Sequence, residues 1–347
     1  MKISKTIPID KFIENALYHN QYGYYSNKNP FGKSGDFITS PGISSLFSEM
    51  IAVWIISFWK NLNKPKKFNI VELGPGNGEL CKILIKTFKK FPDFYKSSNI
   101  FLYERSKILK DIQKKNIGEQ KISWLKNFKR IKNGPILFFG NEFFDAIPIK
   151  QFEKKKNTIY EKYLKINKDS SVKIILKKAP HKVICELKKF KLLKNNGIVE
   201  YPKLGLEELN TMVKKIKKFS GGLLLIDYGF LKEENISTLQ SVKSHKKNEI
   251  FDNIGNADIT SLVNFRLLKN YLSKKNLILN KVVSQSFFLK KVGILNRAEI
   301  LSNKMSFKSK SDLYLRIQRL LDPKYMGNLF KVIFAYKSKK KFLLGFK

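Results

Sequence analysis

The sequence predicts a doubly wound α/β fold, in which a mostly parallel sheet carries helices on both faces. Two observations carry this prediction. Short apolar segments of the strand type alternate with amphipathic segments about 10–15 residues long, as in chains of βαβ units. A glycine-rich turn at residues 74–78 directly follows the first strand-type segment of this series. The chain has 347 residues, 43% of them hydrophobic, and is therefore long and apolar enough to bury a large core.

The N-terminal part, residues 1–66, is predicted to be a helical extension that contains an aromatic loop, residues 22–41. After this loop, apolar residues recur at steps of three and four and predict a buried helix: Ile43, Phe47, Met50, Trp54 and Phe58. The uninterrupted apolar run, residues 51–59, is too short to span a bilayer. Ser40 and Pro41 are typical of a helix start, with the serine as cap and the proline in the first turn.

The rest of the chain is predicted to form a core interrupted by an insertion. We expect the first half of the core at residues 67–150, an inserted α+β substructure at 151–220 and the second half of the core at 221–347. Helices are expected at residues 79–91, 106–116 and 206–219. Strands are expected at residues 66–74, 99–106, 122–125, 134–140, 158–166, 171–178, 221–229, 277–283, 284–289 and 330–337.

The formal charge of +40 has two explanations. Of the 68 basic residues 62 are lysine and only six are arginine, spread along the whole chain, which favours a compositional excess of solvated lysines. A polyanion or an acidic protein partner is the alternative. Because base recognition relies on arginine, the composition argues against a nucleic-acid partner. The oligomeric state is not indicated.

Cysteine and histidine usage argues against a disulfide framework and against a metal site. Cys81 and Cys185 lie far apart, and the three histidines are isolated from one another: His19, His181 and His245. The N-terminus lacks the apolar stretch of a secretory signal. We therefore expect a cytoplasmic protein without a bound metal or a transmembrane segment.

A cofactor site is predicted where the first core strand ends. Gly74, Gly76 and Gly78 follow the G-x-G-x-G spacing, in which the backbone turns sharply and a ligand can approach it closely. A nicotinamide dinucleotide would favour G-x-G-x-x-G, because its pyrophosphate lies on the helix N-terminus. Glu72 suits a ligand with an ammonium or sulfonium centre and suits a diphosphate poorly. An ordinary tight turn is the alternative explanation of the glycines.

A second carboxylate strengthens the cofactor interpretation. Glu104 ends the second core strand, where it could accept hydrogen bonds from both ribose hydroxyls of an adenosyl group. Gly35 and Asp36 lie in the aromatic loop, where no structural role explains them, and they could cover the cofactor.

Catalytic residues are predicted where the fourth core strand ends. Asn141 could hold an acceptor N–H through its amide oxygen, beside the cofactor, and Glu142 and Asp145 could hold a cationic acceptor such as a guanidinium. In a methyl transfer by in-line displacement, the protein needs only to desolvate, align and hold the acceptor. The alternative is structural, with Asp145 capping a helix that begins at Ala146 and with the two preceding phenylalanines in the core.

The chain resembles the MidA-like methyltransferases, which are related to the mitochondrial arginine methyltransferase that assists complex I assembly. The matching stretches run in order through most of the chain: residues 16–26, 35–41, 71–80, 103–106, 141–152, 226–230, 257–260, 285–289 and 326–332. The resemblance implies a Rossmann-like class I methyltransferase fold with a seven-stranded sheet, S-adenosylmethionine as the cofactor, and methylation of protein arginine, in the mitochondrial relatives on a complex I subunit.

The departures from the family pattern lie mainly on the acceptor side: Gly42, Ser48, Ser237, Leu262 and Asn264. The cofactor half of the pattern is intact. The alternatives to arginine methylation are a methyltransferase for RNA or a small molecule and a non-enzymatic assembly factor that keeps the fold.

Overall fold

The computed structural model describes residues 5–27, 30, 39–167, 171–232 and 235–347. Its helices are α1 (Ile9–Tyr18), α2 (Tyr24–Asn27), α3 (Ser40–Ile43), α4 (Ser45–Asn61), α5 (Glu79–Phe88), α6 (Pro92–Ser97), α7 (Lys107–Ile117), α8 (His181–Lys189), α9 (Lys203–Phe219), α10 (Phe265–Ser273), α11 (Gln285–Val292), α12 (Ile294–Ser302), α13 (Phe307–Leu321) and α14 (Met326–Leu329). Its strands are β1 (Lys5–Pro8), β2 (Phe68–Leu73), β3 (Ser98–Tyr103), β4 (Ile122–Leu125), β5 (Ile136–Asn141), β6 (Lys150–Lys155), β7 (Thr158–Ile166), β8 (Val172–Lys178), β9 (Gly197–Tyr201), β10 (Gly221–Phe230), β11 (Gln240–Lys243), β12 (Lys246–Asn248), β13 (Asp258–Thr260), β14 (Val263–Asn264), β15 (Ile278–Leu279), β16 (Val283–Ser284) and β17 (Phe330–Lys337).

The chain divides into two compact units. The first unit comprises residues 1–28, 144–210 and 230–271, and the second comprises residues 29–143, 211–229 and 272–347. This division differs from the predicted boundaries, because the predicted extension, residues 1–66, is shared between the two units.

The second unit is built on the predicted mostly parallel sheet. Its continuous path runs through seven strands in the order β15-β17-β10-β5-β2-β3-β4. The strands from β10 to β4 are parallel, and β17 is antiparallel to both of its neighbours. In the register, Leu73 of β2 lies opposite Tyr103 of β3 and Gly140 of β5. The carboxyl ends of these three strands therefore meet at one edge of the sheet.

Helix α4 supplies the centre of the core in the second unit. The five apolar residues that predicted a buried helix are all buried, four of them within α4 and Ile43 just before it. Trp54 is fully buried, packs edge-on against Phe334 with ring centroids 4.7 Å apart, and donates its indole N–H to Leu344 O at 2.9 Å. The prediction of a buried helix is confirmed. Among the helices that the structure describes, none has the length and apolar character needed to cross a bilayer.

Two local predictions and one structural alternative were wrong. Residues 284–289 were predicted as a strand, but only Ser284 belongs to one, the short strand β16. Helix α11 begins at Gln285, where Ser284 accepts the backbone N–H of Phe287 as an N-cap. Ser40 is the first residue of α3 instead of its cap, and no side chain caps this helix. Asp145 does not cap a helix at Ala146, because residues 144–147 form a turn closed by a hydrogen bond from Ile147 N to Phe144 O.

The first unit contains two antiparallel sheets. Strands β1, β7, β6 and β9 form one sheet in that order, with β8 also paired to β7, and β12, β11 and β13 form the other. The strands predicted at 158–166 and 171–178 are thus confirmed as β7 and β8. Lys150 links the N-terminal and inserted segments of this unit, since its ammonium contacts the buried carboxylates of Asp10 (3.2 Å) and Glu161 (2.6 Å).

Candidate functional site

The glycine turn between β2 and α5 has a left-handed backbone. The φ angles of Gly74, Gly76 and Gly78 are 59°, 54° and 84°, a region in which residues with a Cβ are strained. The turn is held by hydrogen bonds from Gly74 N to Tyr103 O (3.0 Å) and from Gly78 N to Pro75 O (2.8 Å). Sequence reasoning placed this turn correctly at the end of the first core strand.

Two of these glycines also pack closely against neighbouring side chains. A Cβ on Gly74 would lie 3.1 Å from the Phe143 ring, and one on Gly78 would lie 3.0 Å from Ile117. Gly78 stands at the start of α5, where its lack of a side chain lets α7 approach. This glycine therefore has a structural reason of its own, independent of any ligand.

A small cleft opens at the strand edge of the second unit. Its lining comes from the β2–α5 turn, the end of β5 and the segment that begins α3: Thr39, Pro41, Glu72, Gly74, Pro75, Gly76, Asn77, Leu80, Asn141 and Glu142. The structure thus brings together five of the predicted site residues, Glu72, Gly74, Gly76, Asn141 and Glu142.

Glu72 contributes a buried carboxyl group to this cleft. It is 3% exposed, and burial raises its pKa from the ordinary 4.5 to about 8, although a hydrogen bond with the Cys81 thiol partly opposes the rise. Its Oε2 atom has no hydrogen-bond partner among the described residues. A buried polar atom without a partner is costly, so this oxygen is suited to a group that a ligand supplies.

Asn141 and Glu142 form a second polar pair in the cleft. The Asn141 amide donates through Nδ2 to Glu142 Oε1 at 2.9 Å, and the backbone N–H of Ser40 approaches the same oxygen at 3.4 Å. Glu142 has a φ of 54°, a strained conformation for glutamate, and its N–H donates to Ile226 O at 2.9 Å. Asn141 Oδ1 is buried and has no hydrogen-bond partner in the described part of the chain.

Glu104 lies just beyond β3 and is linked to the glycine turn by a residue that sequence reasoning missed. Gln113 of α7 donates through Nε2 to Glu104 Oε2 (3.2 Å) and to Gly76 O (2.8 Å), and its Oε1 accepts the indole N–H of Trp124 (2.8 Å). Burial raises the pKa of Glu104, while hydrogen bonds to its carboxylate act in the opposite direction. The sequence feature that could have identified Gln113 as buried is its place on the apolar face of α7, four residues from both Leu109 and Ile117.

The remaining predicted residues are not part of this grouping. Gly35 and Asp36 lie outside the described residues. Asp145 belongs to the first unit, where its backbone carbonyl accepts the N–H of Ser261 at 3.3 Å. In the same unit, desolvation raises the pKa of Tyr25, and the charge of Asp145 adds to this rise. No group of acidic, histidine or cysteine side chains that could hold a metal ion occurs in the ranges that the structure covers.

The comparison with known proteins agrees with the resemblance noted in the sequence. Residues 50–282 match a family described as "Putative S-adenosyl-L-methionine-dependent methyltransferase". The mitochondrial protein arginine methyltransferase NDUFAF7 homolog of Caenorhabditis elegans is 30% identical, over 86% of this chain and 75% of that protein. The corresponding protein of Mus musculus is 29% identical, over 95% of this chain and 81% of its own.

A solved structure shows the same fold. A protein from Burkholderia thailandensis, described as a "likely methyl transferase" and crystallised bound to S-adenosyl-homocysteine, matches with a TM-score of 0.84 at 22% identity. The match covers 98% of this chain and 90% of that one. The predicted class I methyltransferase fold is confirmed. Because the family match covers most of the sequence, the chain belongs to the S-adenosylmethionine-dependent methyltransferases of this family.

Proposed function

We propose that the chain transfers a methyl group from S-adenosylmethionine to an arginine side chain of a protein. The relatives from Caenorhabditis elegans and Mus musculus are named protein arginine methyltransferases, which supports this acceptor. The observation that carries the proposal is that one cleft combines a glycine turn with two buried oxygens, Glu72 Oε2 and Asn141 Oδ1, that have no hydrogen-bond partner among the described residues. The family resemblance further points to a subunit of respiratory complex I as the acceptor.

The cofactor half of the site is assigned to the turn and its carboxylates. Gly74 and Gly76 let the adenosyl ligand approach the backbone, Glu72 faces its positive charge, and Glu104 receives the ribose hydroxyls. Gly78 supports the turn by admitting α7, and Gly35 and Asp36 remain the predicted cover. When bound, S-adenosylmethionine supplies a methyl group on a positively charged sulfur.

The acceptor half of the site is assigned to Asn141 and Glu142. The amide oxygen of Asn141 accepts one guanidinium N–H, and the Glu142 carboxylate accepts another, so that a nitrogen lone pair is aimed at the methyl carbon. The bound cofactor would supply its methyl group to this nitrogen, and its sulfur would keep the electrons of the sulfur–carbon bond. Glu142 takes the proton that the nitrogen loses. Asp145 remains a predicted catalytic residue.

The test uses the purified protein, cofactor with a labelled methyl group, and complex I isolated from a strain that lacks the chain. We expect label in a complex I subunit, recovered as methylarginine after hydrolysis, and its loss with Glu142→Gln. Glu153→Gln, which changes a partly buried carboxylate on β6 that does not line the cleft, serves as the control and should leave transfer unchanged. Label that survives protease and disappears with nuclease would instead identify an RNA methyltransferase.

Binding of S-adenosylhomocysteine without transfer to any acceptor would identify an assembly factor that keeps only the cofactor site. The same preparation tests the compartment: the sequence favours a cytoplasmic protein, whereas the relatives are named as mitochondrial. Fractionation of cells that express the tagged full chain distinguishes these two locations.

A further inference from the structure

Gln113 joins two parts of the cofactor site that are far apart in the sequence. Its side chain is fully buried in the middle of α7, whereas the exposed positions of this helix are rich in lysine. The amide makes three hydrogen bonds, to Gly76 in the turn, to Glu104 after β3 and to Trp124 in β4. An amide buried at this depth is stable only when its polar atoms are paired, and here both are.

Trp124 fixes which way the amide faces. An indole N–H can only donate, so the amide oxygen must face Trp124, and the NH₂ group must face away from it. The two amide hydrogens then point to two acceptors, the Gly76 carbonyl and Glu104 Oε2. With the amide reversed, its oxygen would face two other oxygens. The donor-only indole therefore makes one orientation of Gln113 much more stable than the other.

The Glu104 carboxylate is thereby held at both oxygens. The backbone N–H of Ser106 donates to Oε1 at 2.8 Å, while Gln113 donates to Oε2 at 3.2 Å. Each carboxylate oxygen can accept more than one hydrogen bond, so both retain capacity for a further donor. Two oxygens at a fixed spacing and orientation match the two hydroxyls of a ribose, which lie on adjacent carbons.

We propose that Gln113, oriented by Trp124, is a positioning residue that holds the Glu104 carboxylate against the glycine turn and thereby makes the site selective for ligands with both ribose hydroxyls. This inference rests on the proposed function, since it takes the cleft to bind an adenosyl ligand. Gln113 acts through Glu104, which it holds in a fixed relation to Gly76 of the cleft lining. Its loss should reduce selectivity for the diol more than it reduces binding of the rest of the ligand.

The experiment compares S-adenosylhomocysteine with its 2′,3′-dideoxy analogue by titration calorimetry on the full chain. Hydrogen bonds to a charged carboxylate predict that the wild-type protein binds the dideoxy analogue about 10- to 100-fold more weakly. With Gln113→Leu, this ratio should fall to about threefold or less. Trp124→Phe keeps the amide and removes only its orienting donor, so the ratio should fall to an intermediate value.

Asn116→Ala provides the matched control. Asn116 lies on the same helix and donates to the neighbouring carbonyl of Asn77 at 2.9 Å, but it is exposed and has no hydrogen bond with Glu104. Its ratio should equal that of the wild type. An unchanged ratio in both Gln113→Leu and Trp124→Phe, with both ligands weakened equally, would show that Gln113 only supports the fold of the turn.

If Gln113→Leu does not fold, Trp124→Phe alone decides, and a wild-type ratio in that variant overturns the inference. If the wild-type protein binds neither ligand, the proposed function itself is wrong. This result is distinct from the loss of selectivity in the variants.

Discussion

Cofactor binding should depend on pH through Glu72. The carboxyl group is 3% exposed, and burial raises its pKa to about 8, so that in the free protein at neutral pH it is mostly protonated. A ligand that brings an ammonium or sulfonium charge to Oε2 favours the ionised form. Binding should therefore release a proton, and affinity should increase as the pH rises toward 8. Glu72→Gln, which is neutral at every pH, should remove this dependence.

The magnitude follows from the ionised fraction. With a pKa of about 8, roughly 1% of Glu72 is ionised at pH 6 and about 9% at pH 7. If the ligand binds only the ionised form, the apparent Kd falls about tenfold between pH 6 and pH 7 and several-fold more by pH 8.5. At pH 7 about 0.9 proton is released for each ligand bound. The effect is lost as the pH rises through the pKa, since the carboxyl is then already ionised.

The same group affects stability with the opposite dependence on pH. Glu72 ionises near 4.5 in the unfolded chain and near 8 in the folded protein, so the folded state binds more protons between these values. The free energy of unfolding should fall as the pH rises through this window, by at most about 5 kcal/mol. Glu72→Gln should therefore be more stable than the wild type at pH 8, with a smaller difference at pH 5, as measured by urea denaturation.

Titration calorimetry in phosphate and in Tris tests the binding part of the prediction. These buffers differ in their ionisation enthalpies, so proton release makes the observed enthalpy differ between them. S-adenosylmethionine and S-adenosylhomocysteine both carry the ammonium, and only the former carries the sulfonium, so their comparison identifies which charge Glu72 faces. If neither ligand shows a buffer-dependent enthalpy, and the Kd of each is constant between pH 6 and pH 8.5, Glu72 does not face a ligand cation.

Three further predictions follow from the structure. Gly76→Val should weaken S-adenosylhomocysteine binding more than 100-fold in calorimetry. The protein should stay folded by circular dichroism, because a side chain at this left-handed position costs about 1–2 kcal/mol, whereas the free energy of unfolding of a domain is about 5–15 kcal/mol. Normal binding by this variant would contradict the proposed cofactor site. Asp145→Asn should lower methyl transfer and leave cofactor affinity unchanged, and unchanged turnover would remove Asp145 from the acceptor side. Lys150→Met should lower the free energy of unfolding, measured in urea, by about 3 kcal/mol, because two buried carboxylates lose their cation. Lys155→Met, which removes an exposed lysine from an ion pair, should lower it by less than about 1 kcal/mol, and equal decreases in the two variants would contradict this prediction.

The parts of the fold that the sequence predicted well are those determined by local patterns. Strand β2 is an apolar segment directly followed by glycines, and α4 repeats its apolar residues at helical spacing. Both features can be recognised without knowing which segments meet. The parallel order of the strands then places Glu72, Gly74, Asn141 and Glu142 at one edge of the sheet, which is why the cleft was predictable from strand ends alone.

The predictions that were wrong or incomplete depended on contacts between distant segments or on competing local signals. Residues 284–289 are apolar enough for a strand, but the hydroxyl of Ser284 caps a helix there, and the local pattern did not separate the two outcomes. Strand β1 pairs with β7 across more than 150 residues, and no local pattern reports such a pairing. Gln113 could not be distinguished from the exposed polar residues of a lysine-rich helix, because its hydrogen-bond partners are 9, 11 and 37 positions away in the sequence.

The two carboxylates assigned to the proposed cofactor site differ because their surroundings differ. Glu104 receives hydrogen bonds from Ser106 and Gln113, so its geometry is set before any ligand arrives. Glu72 has a thiol as its side-chain partner and an oxygen without a hydrogen-bond partner in the described part of the chain, so its charge is set by what enters the cleft. A ligand with two hydroxyls and a separate positive charge would use both properties. A neutral nucleoside would gain from Glu104 and leave Glu72 protonated, so its affinity should not depend on pH between 6 and 8.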